Sequence, residues 1–183
     1  MKLFWTRSKT APLSRLIMWG LGEPCSHFSM MFESDKLLFQ SNLLGTSLDY
    51  FPFFQAKEVF VEEIQIPLTK EIEDKVYDQI MPKFGNEPYD WGGFFYFIWR
   101  GMLKRFFGIP LPSVNAWSIK PWLLCTGVSQ GLDAEGVPEW LREAVRSIPD
   151  VEMVSPWELY LRLKLAQAAA NDAQSQSAVS GSV

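Results

Sequence analysis

From Ser26 to Glu33 the chain alternates, with Phe28, Met30 and Phe32 on one side and His27, Ser29 and Met31 on the other. A period of two predicts a strand with two different faces. The segment KLLFQSN at 36–42 predicts a partner strand, and Ser34-Asp35 between them suits a tight hairpin turn. Upstream, KLFWTR at 2–7 reads as a short aromatic strand. LSRLIMWG at 13–20 sets Leu16, Ile17 and Trp19 on a short helix closed by Gly20 and Gly22. KEVFVEEIQIP at 57–67 gives a third strand through Val59, Val61 and Ile64, with Pro67 as its stop. The period then lengthens: Ile72, Val76, Tyr77 and Ile80 form a helical stripe behind Thr69 as N-cap, ending at KFGNEP.

The aromatic segment from Tyr89 to Phe107 follows and is broken by GIPLPSVN. Leu124, Val128 and Leu132 recur every four residues, which predicts a helix carrying Cys125 and Ser129 on another face. Gly127 and Gly131 each cost a helix about 1 kcal/mol relative to alanine, so the pair points to a backbone that something approaches closely. VPEWLREAVRS and SPWELYLRLKLAQAAA predict two more helices, the second with Ser155 as N-cap and Pro156 in the first helical position. The small, polar NDAQSQSAVSGSV reads as a flexible tail. Mixed strands and helices without an internal repeat predict one α+β domain over residues 1–168, with 169–183 as the tail.

Composition supports a single core: 183 residues, 48% hydrophobic and 15% aromatic, are enough to bury one. Seventeen Lys and Arg against 21 Asp and Glu leave a net charge of -4, which argues against nucleic acid as a partner. Arg7, Lys9 and Arg15 interrupt the first apolar stretch, so a secretory signal is not expected and a cytoplasmic or virion location is. Arg100, Lys104 and Arg105 likewise break the stretch 91–109, so no transmembrane segment is expected and this helix should be buried or interfacial. Cys25 and Cys125, the only cysteines, are expected as free thiols.

The candidate chemistry centres on His27, the only histidine. A solitary histidine is more often structural than catalytic, but Cys125 opens a predicted helix and His27 opens a predicted strand. A helix start and a nearby imidazole both favour a thiolate nucleophile. A base also needs a group that fixes its tautomer. In the predicted hairpin Ser29 pairs with Gln40 and His27 with Asn42, so either amide could orient the ring, and Ser29 and Asn42 are candidate substrate contacts. Two cysteines and one histidine are too few for a structural zinc site, so neither a metal nor another cofactor is expected. A serine nucleophile at Ser29 or Ser129 stays open, though neither sits in a G-x-S-x-G context.

The order of pieces, an aromatic strand, LSRLIMWG, CSHFSMMF, LLFQS, PYDWGG, WLLCTGVSQGL and SPWELYLRL, resembles the circularly permuted branch of the papain-like, NlpC-type cysteine hydrolases of bacteria and their phages. The resemblance spans roughly residues 2–165. It implies an antiparallel sheet or half-barrel packed against the cysteine helix and further helices. It also implies Cys125 as nucleophile, His27 as base, Gln40 as the third polar residue and Tyr89 as an aromatic lining the cleft. Cys125-Thr126-Gly127 stands where the family often has Cys-Ser-Glu, and Gln40 where it often has an acid or histidine. The implied activity is an amidase or peptidase that forms a thioester, with peptide or acyl-amide substrates and peptidoglycan peptide bonds foremost. The competing expectation is a phage virion or other structural protein that keeps the fold with little turnover. The aromatic segment from Phe94 to Phe107 reads first as a packed core helix, with an acyl-chain pocket or a membrane surface as its other uses.

Overall fold

The computed structural model describes residues 1–42, 44–109, 125–148 and 154–180. Its strands are β1 (Lys2–Ser8), β2 (His27–Phe32), β3 (Leu37–Asn42), β4 (Gly45–Tyr50) and β5 (Glu58–Gln65). Its helices are α1 (Pro12–Leu21), α2 (Phe51–Lys57), α3 (Lys70–Phe84), α4 (Trp91–Phe107), α5 (Glu139–Arg146) and α6 (Pro156–Ser180), with a 3₁₀ helix at Cys125–Asp133. The strands form one antiparallel sheet in the order β4-β3-β2-β1-β5. The α+β class and the antiparallel sheet are as the sequence predicts.

The β2–β3 hairpin has the predicted register, Phe32 opposite Leu37 and Ser29 opposite Gln40. Its turn closes with Lys36 in the left-handed region at φ 53°. Alternation sends Phe28, Met30 and Phe32 to one face of the sheet, where they join Leu3, Trp5, Phe39 and Ile64. This face is the main core, covered by Val76 and Ile80 of α3, Val128 and Leu132 of the 3₁₀ helix, and Leu159 and Leu163 of α6. Trp5 is fully buried there, 5.1 Å from the Phe28 ring and 5.2 Å from that of Tyr160. On the opposite face a smaller cluster of Phe4, Met31, Leu38 and Phe54 sits under α2.

Two elements escape the periodicity reading, β4 and α2, so the strand at 57–67, the fourth of those read from sequence when KLFWTR is counted, is the fifth in chain order. β4 is an edge strand with polar Thr46, Ser47 and Asp49, and its outer half is only partly buried, so no period of two marks it. Leu124 and most of GIPLPSVN lie outside the described residues, as do the last three residues of the tail. α1 ends as predicted, with Gly22 at φ 76° donating its N–H to the Met18 carbonyl. Thr69 caps α3 by accepting the Ile72 N–H, and Ser155 accepts the Glu158 N–H at the start of α6. α6 does not stop at residue 168 but runs to Ser180, through the segment read as a tail. Its Ala and Gln content favours propagation of an established helix, which small polar composition alone does not reveal.

The cysteine segment is a 3₁₀ helix and not the α-helix its spacing of four suggests. Val128, Ser129, Gly131 and Leu132 are all buried, so the segment is held on nearly every side. Packing overrides the local period. A Cβ on Gly131 would lie 2.6 Å from Ile80 Cδ1, so of the two glycines Gly131 has the close approach read from their spacing.

Glu73 of α3 holds the other end of the hairpin. Its buried carboxylate accepts the N–H of Glu33 at 3.3 Å and of Ser34 at 3.0 Å, and pairs with the Met1 amino group. Burial by itself raises its pKa, but the amino group and the Ser34 N–H outweigh that and hold it below the usual carboxylate value. This stabilisation is therefore present above the unfolded value near 4.5 and is lost as the pH falls through the lower native one. Glu73→Ala should cost about 2 kcal/mol in urea denaturation at pH 7, because it leaves the Glu33 and Ser34 N–H groups unpaired and the buried Met1 amino group with Glu33 as its remaining carboxylate.

Candidate active site

β2 and β3 carry the histidine and its partner because the antiparallel register puts Gln40 diagonal to His27 on the same face. His27 Nε2 and Gln40 Oε1 are 2.7 Å apart. The Gln40 amide nitrogen donates to Asp49 Oδ2 on β4, and Ser47 Oγ donates to the same oxygen at 3.2 Å. Ser47 Oγ in turn accepts from Asn42 Nδ2 at 3.0 Å. A polar chain thus crosses three strands.

The chemistry of this chain fixes the ring. A carboxylate only accepts, so Asp49 requires the amide nitrogen of Gln40. Gln40 must then present its carbonyl oxygen to the histidine, which requires a proton on Nε2. The lone pair is left on Nδ1, the form in which an imidazole can take a proton there. Burial lowers the pKa of His27, while Gln40 and the charge of Asp49 act in the opposite sense.

Cys125, half-buried at the start of the 3₁₀ helix, lines the same cleft as His27. The cleft holds about 420 Å³ and lies between α1, which contributes Leu13 and Ile17, and α2, which contributes Phe53 and Phe54. Burial raises the Cys125 thiol to about 11, against the effect of the Phe28, Thr126 and Cys125 backbone N–H groups, so burial outweighs the helix start that favours a thiolate and the resting sulfur is a thiol. No hydrogen bond joins this sulfur to the His27 ring among the described residues. A small, mostly apolar cavity formed by Ile17, Tyr89, Phe94, Phe97 and Val154 also reaches Cys125.

Of the residues singled out from sequence, Cys125, His27, Gln40, Asn42 and Tyr89 all line the cleft. Gln40, and not Asn42, takes the ring; Asn42 is occupied by Ser47 and accepts the Leu44 N–H at 2.9 Å. Tyr89 is buried, and that burial holds its hydroxyl protonated well above the ordinary tyrosine value. Ser29, expected as a substrate contact, is sealed from solvent with no hydrogen-bond partner for its hydroxyl, because Phe4 and Gln40 flank it across the sheet. Ser129 is equally sealed, so neither serine is presented as a nucleophile. Cys25 is a core residue whose thiol pKa is raised by burial. Among the described residues no group of three or more His, Cys, Asp or Glu is placed to hold a metal ion.

Asp49 is the member that sequence reading missed. It follows Leu48 in an edge strand without alternation, and nothing local distinguishes it from a solvated turn residue. Its only signal is the pairing of β3 with β4, which sets Ser47 opposite Gln40 and Asp49 on the next diagonal. No family model, curated protein or solved structure matches this chain.

Proposed function

We propose that the protein is a cysteine hydrolase of the amidase or peptidase class, with Cys125 as nucleophile, His27 as base and Gln40 as the residue that orients it. The observation that supports this most is the imidazole Nε2 held at 2.7 Å by Gln40 Oε1, in one cleft with the thiol at a helix start. On this proposal the order of elements resembles that of the permuted papain-like, NlpC-type hydrolases.

Because the resting sulfur is protonated, attack and proton transfer go together. The Cys125 proton passes to His27 Nδ1 as the sulfur bonds to the substrate carbonyl carbon. The backbone N–H of Cys125 is the available donor to the developing oxyanion. Collapse breaks the C–N bond, the amine leaves with the proton from Nδ1, and a thioester remains. His27 then takes a proton from water as it attacks the thioester, and returns it to the sulfur. The favoured substrate is a peptide bond of peptidoglycan: the protein should release soluble fragments from purified cell-wall sacculi, and the Cys125→Ala variant should not. Identical release by both would overturn the reading.

Asp49 belongs to the proposed mechanism as a positioning residue, since its charge dictates which way the Gln40 amide faces. Asparagine at this position could offer either an oxygen or a nitrogen, so Asp49→Asn should release that constraint. The only imidazole in the chain makes the test clean. Long-range ¹H–¹⁵N spectra should show His27 protonated on Nε2 in the parent protein. In Asp49→Asn they should show mixed tautomers and a lower pKa, because the nearby negative charge that raises it is gone.

One observation favours the second reading, a structural or virion protein that keeps the fold without turnover: the sulfur and the ring share no hydrogen bond in the free protein. Catalytic hydrogen bonds often tighten only when substrate binds. Fragment release separates the two readings.

A further inference from the structure

α4 turns part of its aromatic surface away from the protein. Phe94 and Ile98 are buried against Leu13 and Ile17 of α1. Trp91, Phe95, Trp99 and Phe106 recur at intervals of four, four and seven, which sets them on one helix face, and they are 38–59% exposed. α1 extends this face: the Trp19 ring lies 5.2 Å from that of Phe106, and both Trp19 and Leu16 are exposed. An apolar patch of this kind on a folded protein marks an interaction surface.

Charge indicates the partner. α1 and α4 carry four Lys and Arg, Arg15, Arg100, Lys104 and Arg105, and no Asp or Glu, in a chain whose net charge is -4. Arg15 is exposed beside Leu16, and Arg105 packs over the Phe106 ring at 5.4 Å while bonding the Trp19 carbonyl. The nearby carboxylates, Glu23 and Glu158, share an adjoining depression with Arg100, Lys104 and Arg105, which leaves Arg15 as the cation of the face with no carboxylate beside it in that depression. Tryptophan and phenylalanine interleaved with cations suit the headgroup layer of an anionic bilayer, where aromatic rings sit at the interface and each cation gains from the surface potential. No helix among the described residues is long and apolar enough to cross a membrane, so such a face would lie on one.

We propose that the α1–α4 face docks on an anionic lipid surface through Trp19, Trp91, Phe95, Trp99 and Phe106, with Arg15 beside them facing phosphate groups. α1, which brings Trp19 to this face, also contributes Leu13 and Ile17 to the cleft wall. This inference does not depend on the hydrolase reading, since lipid contact needs no thiol.

The test is co-sedimentation of the full chain with vesicles of phosphatidylcholine alone or mixed with phosphatidylglycerol. The protein should pellet with the mixed vesicles and much less with the neutral ones, and Cys125→Ala should behave as the parent. Phe95→Ser/Trp99→Ser, folded by circular dichroism, should lose at least about tenfold in partitioning. Arg15→Gln should lose about fivefold on mixed vesicles only. Protein left in the supernatant with both vesicle types, equal binding to neutral vesicles, or unchanged binding by the double serine variant would overturn the proposal. So would a dimer in sedimentation velocity that the double variant dissociates, since a second copy would then own the face.

Discussion

Cys125→Ala should abolish modification by iodoacetamide in the folded protein and reduce hydrolysis by about ten-thousand-fold or more, because no other sulfur can replace it. Cys25, the other thiol, is fully buried among core residues and should react only after denaturation. Intact-mass spectrometry should therefore show one added group on the native parent protein and none on the variant. With a thiol raised to about 11, labelling should quicken by about tenfold per pH unit from neutrality upward and level off only near that value. A plateau already at neutral pH would mean that the sulfur rests as a thiolate. Preferential labelling of Cys25 would remove the nucleophile from the proposed mechanism.

His27→Asn should lower hydrolysis by about 100- to 10,000-fold, the range of a lost general base, and the double variant with Cys125→Ala should be no worse than Cys125→Ala alone. The two residues act in one step, so their effects cannot add. The same substitution carries a stability signature. Burial depresses the native pKa of His27 below its ordinary 6.5. Between that value and the lower native one, the unfolded chain binds a proton that the native site refuses. This contribution is therefore fully present above 6.5 and falls away as the pH drops through the window between the two values. Urea midpoints at pH 7.5 and pH 5.5 should fall further for the parent protein than for His27→Asn. Equal falls would mean that the ring is not held neutral by its surroundings.

The parts of the site that are legible in the chain share one property: neighbours within a hairpin or a single helical turn define them. A tight turn at Ser34-Asp35 and a period of two are enough to set Ser29 against Gln40 and His27 on the diagonal. The helix cap at Thr69 and the Gly22 terminus follow in the same way from local backbone requirements. Where a residue's neighbours come from elsewhere, the local signal misleads. The cysteine segment has a spacing of four, yet it adopts 3₁₀ geometry between the sheet and α3, since burial on nearly every side outweighs the period. Ser29 has the alternation of a cleft residue, but Phe4 on β1 and Gln40 on β3 cover it.

Alternation, turn residues and caps were thus sufficient for the α+β class, for most of the strands and helices, and for the pairing of His27 with an amide on its own hairpin. The choice of Gln40 over Asn42, the entry of Asp49 from an edge strand, the protonated state of Cys125 and the exposure of the α4 aromatics came from long-range packing. The physical reason is one of range. Backbone periods and hydrogen-bonded turns act over a few residues and are written in the order of side chains. Burial, proton affinity and amide orientation are set by whichever distant segment closes over the group, and here the closing segments are β4, α1 and the 3₁₀ helix.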